Sequence, residues 1–213
     1  IDFATFTACL LGILNIIFFS PEDLNIIKNG PAERRRFIDV ELCQLDKIYL
    51  SDLTNYNKIL NQRNKLLKDL YFNPSLKETL PVWDMQLVNY GKKIIARRNQ
   101  FIMELNEVVH DIHHNISGGR EEMVIKYEPN IEDIFFEDEL IRAKEKDLKY
   151  AQTSVGPHRD DLKISVGDID VRKFGSQGQQ RSCALSLKLS EIKLVEQTIH
   201  DKPVLLLDDV LSE

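Results

Sequence analysis

The sequence predicts an α/β chain interrupted by a long antiparallel helical hairpin. Three observations carry this. Glycine and proline are scarce, 9 and 7 among 213 residues, while 43% of residues are hydrophobic and 29% charged, the balance of a helix-rich chain with apolar mass enough for a core. Between residues 48 and 116, apolar side chains recur at 4-3 spacing in two long runs separated by proline. Beyond residue 152 the pattern changes to short β-type runs, a glycine turn, one long helix and an apolar strand, which is alternating α/β order.

The elements follow in chain order. Ile13 to Phe19 is short, apolar and rich in β-branched residues, so it reads as a buried strand ended by Ser20-Pro21. Ser20-Pro21-Glu22-Asp23 reads as a turn that starts a helical piece. Asn29-Gly30 breaks it, and Pro31 fits the first turn of a new helix with Glu33 at its positive end. That helix carries Arg34, Arg35 and Arg36 and is expected to bury Phe37, Val40 and Leu45 or their neighbours. Residues 1–47 form this first segment.

Residues 48–116 form the hairpin. Tyr49, Leu53, Tyr56, Leu60, Asn64, Leu67 and Tyr71 line one helix, with Asn64 as a polar slot. Trp83, Leu87, Tyr90, Ile94, Arg97, Phe101, Leu105, Val108 and Ile112 line the other. The second helix is expected to span about thirty residues, roughly 45 Å, a length that suits an arm projecting from a body. Ser117-Gly118-Gly119 ends it. Residues 117–151 connect back, with a strand over Met123 to Tyr127 and a helix over Phe136 to Ala151. The acids Glu132, Asp133, Glu137, Asp138 and Glu139, with Glu128 just upstream, read as a solvated face. Residues 152–213 hold two strands (Leu162 to Val166 and Ile169 to Phe174), the glycine turn, a helix running to about Gln197, and the strand that begins at Pro203.

The net charge of −6 and pI near 5.5 exclude a generic nucleic-acid coat. Two dense basic clusters remain for phosphate contact, Arg34 to Arg36 and Lys92, Lys93, Arg97 and Arg98; a solvated or packed helix face is the simpler reading of each. Cys9, Cys43 and Cys183 are odd in number and widely spaced, which speaks against a disulfide scaffold and a structural zinc site, and for a reducing cytosol. The longest apolar run, Leu10 to Phe19, is interrupted by Gly12 and Asn15. It is well short of the ~20 residues of a membrane span, and no basic segment precedes it as in a signal peptide.

Two motifs carry chemistry. Pro203-Val204-Leu205-Leu206-Leu207-Asp208-Asp209 reads as a strand buried on both faces that ends in two carboxylates. Open α/β sheets bind ligands at that end. In P-loop NTPases an acid so placed helps hold Mg²⁺, and a second can orient water. The plain alternative is a strand end capped by solvated Asp. Phe174-Gly175-Ser176-Gln177-Gly178-Gln179-Gln180-Arg181 opens a long helix, whose first N–H groups and dipole favour an anion. Ser176 adds a hydroxyl donor and Gly178 admits a phosphate close to the backbone. An ordinary capped turn is again the plain alternative.

The two motifs lie about 30 residues apart with one helix between. That order resembles the signature motif and Walker B of ABC-type ATPases. Ser176-Gln177-Gly178-Gln179 matches S-G-G-Q with Gln in place of the first Gly. Together with Val155-Gly156-Pro157-His158-Arg159-Asp160-Asp161, Leu205 to Glu213, Phe19 to Leu24, Gly30 to Phe37 and Gln62-Arg63-Asn64, this resembles the RecF family over nearly the whole chain. The resemblance implies a partial ABC-type P-loop ATPase head, related to SMC heads, with the hairpin as an inserted lid or arm.

The resemblance further implies a cytoplasmic, ATP-dependent, DNA-binding ATPase of gap repair and the SOS response. Its partners would be double-stranded or gapped DNA, RecO, RecR and a second copy of itself, with no membrane. Two heads would close on two ATP molecules. Ser176, Gly178 and Gln179 would contact the nucleotide of the opposing subunit, Asp208 would hold Mg²⁺ through water, and Asp209 would be the catalytic carboxylate. SMC heads carry a Q-loop glutamine before a double Arg. Here that count falls on Ser20-Pro21, so Glu22 or Asp23 is the candidate to sense Mg²⁺. The role of His158 to Asp161 is not derivable from sequence.

No G-x-x-x-x-G-K-[ST] occurs in the 213 residues. Ser117-Gly118-Gly119-Arg120 is, after the signature, the next candidate phosphate cradle. The family's P-loop lies upstream of the matched region, so the chain reads as a segment of a longer protein that by itself binds ATP weakly or not at all. The rival reading is a non-catalytic module in which the helical hairpin binds partner helices.

Overall fold

The computed structural model describes residues 15–208. They divide into two compact units. One comprises the described residues within Ile1–Lys47, Gln100–Tyr127 and Leu162–Glu213; the other comprises Ile48–Asn99 and Glu128–Asp161.

In the first unit, β1 (Ile16–Phe19) pairs in parallel with β5 (Val204–Leu207), Ile16 opposite Val204 and Phe19 opposite Leu207. The 13–14 part of the expected strand lies outside the described residues. A 3₁₀ turn over Pro21–Asp23 leads to α1 (Leu24–Lys28). Helix α2 (Pro31–Leu45) starts as expected, with Gly30 as N-cap and Pro31 in its first turn. Its inward stripe is Arg34, Phe37, Ile38, Glu41 and Leu42, the i, i+3, i+4, i+7, i+8 set of one helical face. Val40 falls off that stripe and is exposed, and its neighbours Glu41 and Leu42 are buried in its place.

The long helix α8 (Gln177–Ile199) covers β1, where Val195 meets Ile17 and Phe19, with Leu189, Ile192 and Ile199 alongside. Strand β5 departs from the sequence reading. Its four residues keep between 36% and 62% exposure. Apolar run alone does not bury a strand; layers on both faces do, and among the described residues only the edge toward β1 is paired.

A second sheet has the order β2-β3-β4, with β2 Met123–Glu128, β3 Asp161–Val166 and β4 Ile169–Asp170. Met123, Ile125 and Tyr127 alternate inward with exposed neighbours, as do Leu162, Ile164 and Val166 around theirs, the period of a half-buried sheet. The expected strand from Ile169 to Phe174 stops after two residues. Asp170 accepts the N–H groups of Arg172 (3.1 Å) and Lys173 (3.3 Å) and caps a short helix, α7 (Val171–Phe174).

The second unit is built on α3 (Lys47–Asp69) and the first part of α4 (Leu80–Ile116), which continues into the first unit. At 37 residues α4 exceeds the expected length and reaches roughly 55 Å. Pro81 does not interrupt it but sits in its first turn. The two helices run antiparallel: Arg63 meets Asp84, Asp52 meets Lys93, and Tyr49 meets Arg98. Leu66, Leu67 and Leu80 are buried together, with Trp83 and Leu148 against them. The expected helix over Phe136 to Ala151 is two, α5 (Phe136–Arg142) and α6 (Lys144–Tyr150), with Ala151 in a left-handed cap.

Candidate functional site

The signature-like turn Ser176–Gln179 sits at the start of α8 in a closed capping box. Ser176 Oγ accepts the N–H of Gln179 at 3.2 Å, and Gln179 Oε1 accepts the N–H of Ser176 at 2.9 Å. The Gln180 N–H goes to the Ser176 carbonyl at 2.9 Å. That leaves the N–H groups of Gln177 and Gly178 and the Ser176 hydroxyl proton with no hydrogen bond to the described residues. These exposed donors face the positive end of a 23-residue helix. Gly178 needs no special backbone angle, and a Cβ there would meet nothing nearer than Ser176 Oγ at 3.8 Å. The chain's own packing therefore does not call for glycine at 178.

The Gln179 side chain reaches a second partner. Its Nε2 donates to Glu121 Oε1 at 2.9 Å. Glu121 Oε2 stands 3.5 Å from Nε2 of the buried His113, whose Nδ1 meets Ser186 Oγ at 2.9 Å. Burial lowers the His113 pKa below the ordinary imidazole value, opposed by Glu121. Burial, with Glu121 adding, pushes the neighbouring Cys183 thiol up to about 12, so it stays protonated.

Asp208 lies at the carboxyl end of β5, exposed, with its N–H on the Phe19 carbonyl at 2.9 Å. The parallel register puts it beside Ser20, so the Ser20–Asp23 turn and the Walker B-like Asp share the strand end where open sheets bind ligands. No hydrogen bond or ion pair joins Asp208 to the signature among the described residues. Asp209 lies outside them.

Of the two Q-loop candidates, Glu22 is exposed and Asp23 is engaged. Asp23 Oδ2 accepts the Ser20 N–H at 2.9 Å, and Oδ1 stands 4.0 Å from Lys188 Nζ. Lys188 is buried in α8, bonded to Glu191, and 5.8 Å from the Phe19 ring centroid. Glu41 closes this group. Burial lifts its pKa to about 7 against the pull of Lys188, and burial also lifts Glu191 and Asp23. Burial lowers Lys188, but Glu191, Glu41 and Asp23 outweigh it and the net shift is upward. Sequence reading missed this group. Its signal was there: Lys188 and Glu191 are charged residues in the apolar stripe of α8.

The other singled-out motifs turn out to be spent within the fold. In the second unit, Arg63 is buried. Its Nε donates to Asp84 at 2.7 Å, and one terminal nitrogen to Asp147 at 2.7 Å and Thr153 Oγ1 at 2.8 Å. Asn64 accepts from the N–H and hydroxyl of Thr153, each at 2.7 Å. The segment 155–161 is a docking loop. Arg98 donates to the Pro157 carbonyl at 2.7 Å and to Asp160 Oδ2 at 2.9 Å, while Asp160 Oδ1 accepts the Asn130 N–H at 2.8 Å. The Thr153 carbonyl can only accept, so His158 Nε2 donates to it at 3.2 Å, and Nδ1 is hydrogen-bonded with the Tyr56 hydroxyl at 2.7 Å.

Each basic cluster loses a member to such bonding. Arg98 is buried on Asp160, and Arg34 is buried with one terminal nitrogen on the carbonyls of Ile26 (3.3 Å) and Asn29 (2.8 Å) at the end of α1. The Ser117–Arg120 turn closes on itself: the Gly118 and Gly119 N–H groups go to the Asn115 (3.3 Å) and His114 (2.7 Å) carbonyls, and Arg120 Nε donates to the Ser117 carbonyl at 2.9 Å. No helix of the described residues is long and apolar enough to cross a membrane.

A scan against protein-family models finds no match. The chain is 69% identical over 204 residues to the DNA replication and repair protein RecF of Agathobacter rectalis, a match covering 96% of this chain and 56% of that protein. The RecF proteins of Lachnospira eligens and Clostridium botulinum are 62% and 45% identical, over 206 and 209 residues. The chain thus spans little more than half the length of the curated relatives it matches. Among solved structures, the recombination mediator protein described as RecF-ATPrS in the RecFOR pathway superposes with a TM-score of 0.90 at 40% identity, covering 96% of this chain and 57% of that one. The RecF-ATP structure gives 0.89 at 39% identity, covering 95% and 57%. Over the residues compared, the chain belongs to the RecF family of DNA replication and repair proteins.

Proposed function

We propose that this chain supplies the helical arm and the signature-bearing part of the head of an ATP-dependent, DNA-binding ABC-type ATPase of DNA replication and repair. The observation that carries the reading is the start of α8. A capping box fixes Ser176 and Gln179 and leaves the Gln177 and Gly178 N–H groups and the Ser176 hydroxyl outward, at a glycine that the chain's own packing does not require. Such a face binds a phosphate oxygen through oriented donors and the helix dipole. On the ABC pattern that phosphate belongs to ATP held by the opposing subunit of a homodimer, so Ser176 and Gly178 act in trans.

Asp208 fits the metal side of the site. Among the described residues no group of three or more metal-ligating side chains occurs. Mg²⁺ does not require one, because it takes one or two carboxylates and completes its shell with water and phosphate oxygens. Asp208 would hold it through water and Asp209 would take the proton of the attacking water. When bound, the ion neutralises charge on the transferred phosphoryl group. Glu22, exposed on the turn beside Asp208, remains the freer of the two candidates for sensing it. RecO, RecR and double-stranded or gapped DNA are the partners this reading assigns to the whole protein, in the cytoplasm.

The test is Ser176→Arg in the full-length protein. It places a bulky cation where the opposing nucleotide would dock. ATP binding by the monomer is expected to persist and ATP-driven dimerisation to disappear in sedimentation velocity. Normal dimer formation by this variant refutes the trans role.

A further inference from the structure

We propose that Glu121 is a positioning residue for the signature, holding Gln179 so that the phosphate-facing turn is formed before nucleotide arrives. The inference rests on the signature reading above and adds to it a residue that no motif marks. Gln179 has one side-chain amide, and the structure spends both ends of it. Oε1 accepts from the Ser176 N–H, and Nε2 donates to Glu121 Oε1. A free amide at a helix start samples several rotamers, and each one lost on binding weakens the complex. The bond to a carboxylate is charge-assisted and selects one of them. Gln179 then acts on phosphate through Ser176, whose hydroxyl it orients by backbone and side chain together.

Glu121 is itself held from two sides. The turn before it is fixed by Gly118 and Gly119, at φ of 64° and 75°, where other residues are strained. Its own N–H lies 3.3 Å from Ser117 Oγ, and the Gly119 N–H closes on the His114 carbonyl at 2.7 Å. Its second carboxylate oxygen faces Nε2 of His113 at 3.5 Å without a hydrogen bond, and that ring is anchored on Ser186, about two and a half turns into α8. The turn after α4 and the start of α8 are thereby joined by one polar chain, Glu121–Gln179–Ser176. The groups facing Glu121 are His113, Cys183 and Gln179.

The experiment compares Glu121→Ala, Glu121→Gln and Ser176→Arg in the full-length protein. ATP affinity of the monomer, the dimer dissociation constant with ATP, and the thermal midpoint without nucleotide are measured for each. Glu121→Ala is expected to weaken ATP-driven dimerisation about tenfold while leaving monomer ATP affinity and the midpoint near wild type. Glu121→Gln keeps an acceptor for Nε2 and is expected to restore dimerisation to within about twofold. Amide hydrogen exchange over 176–180 in the absence of nucleotide is expected to rise in the alanine variant alone. If Glu121→Ala dimerises normally while Ser176→Arg does not, the positioning role is wrong and the signature reading stands. If Ser176→Arg dimerises normally, the signature reading itself fails. Equal losses in the alanine and glutamine variants together with lowered midpoints make Glu121 a structural residue only, which also overturns the proposal.

Discussion

Replacing Arg63 by methionine removes a cation from between two carboxylates while keeping most of the aliphatic stem. Arg63 is completely buried and so is Asp147; Asp84 retains 21% side-chain exposure. The two ion pairs, each 2.7 Å, and the bond to Thr153 vanish together. Removing one partner of a buried pair costs about 3–5 kcal/mol, because the other charge stays desolvated. Asp147 keeps the N–H of Ser154 at 3.0 Å and its hydroxyl at 2.7 Å, which places the expected loss near the lower end, about 3 kcal/mol. The chain has a single tryptophan, Trp83, adjacent to Asp84 and packed on Leu66, Leu67 and Leu80, so its fluorescence reports this unit. In urea the transition should move down by about 1–3 M. Arg63→Met combined with Asp147→Asn should recover part of the loss, since no buried charge is then left unpaired. A loss below about 1 kcal/mol would show that Arg63 behaves like a surface pair, and the assignment of Gln62-Arg63-Asn64 as the fastening of the hairpin would fall.

Gly156→Ala should destabilise the same unit by about 2–4 kcal/mol, because φ is 129° and the new Cβ would lie 2.6 Å from the Tyr56 hydroxyl oxygen; wild-type stability by Trp83 fluorescence would contradict this. Glu41→Gln tests the buried group around Lys188. Glu41 has its pKa raised to about 7 in the fold from 4.5, so the folded state binds the extra proton and stability through this group falls as pH rises from about 4.5 to about 7. The glutamine variant should gain stability relative to wild type at pH 8 compared with pH 5; an equal difference at both pH values counts against it. In the full-length protein, Asp209→Asn should permit ATP-driven dimerisation and block hydrolysis, and a dimer with normal turnover would remove Asp209 from the catalytic role.

Local patterns were legible where the physics is local. Pro31 in a first turn, the glycine pair after Asn115 and the 4-3 spacing of the hairpin each declare a backbone conformation within a few residues, and the helices and turns stand there. The candidate site was proposed in the same way: Ser176, Gly178, Gln179 and Asp208 lie in short-range motifs, and the structure places the first three at the start of α8 and the last at the end of β5. Where spacing competed with a local cap, the cap won, as Asp170 ended β4 after two residues.

The sequence by itself determined the helical hairpin, the strand that ends at Asp208 and the turn that opens α8, because each depends on neighbours in the chain. Tertiary structure alone decided what the long-range polar groups do. Arg98 and Asp160 are 62 residues apart, Gln179 and Glu121 58, and Arg63 and Thr153 90. No periodicity links such positions. It was these contacts that turned one apparent basic cluster partly into a buried fastening and tied segment 155–161 to the hairpin. They also tied Gln179 to a carboxylate on the far side of a turn. A charged side chain reads as solvated until the fold shows which opposite charge has been brought within 3 Å of it, since burial raises the cost of leaving it unpaired far above any local preference.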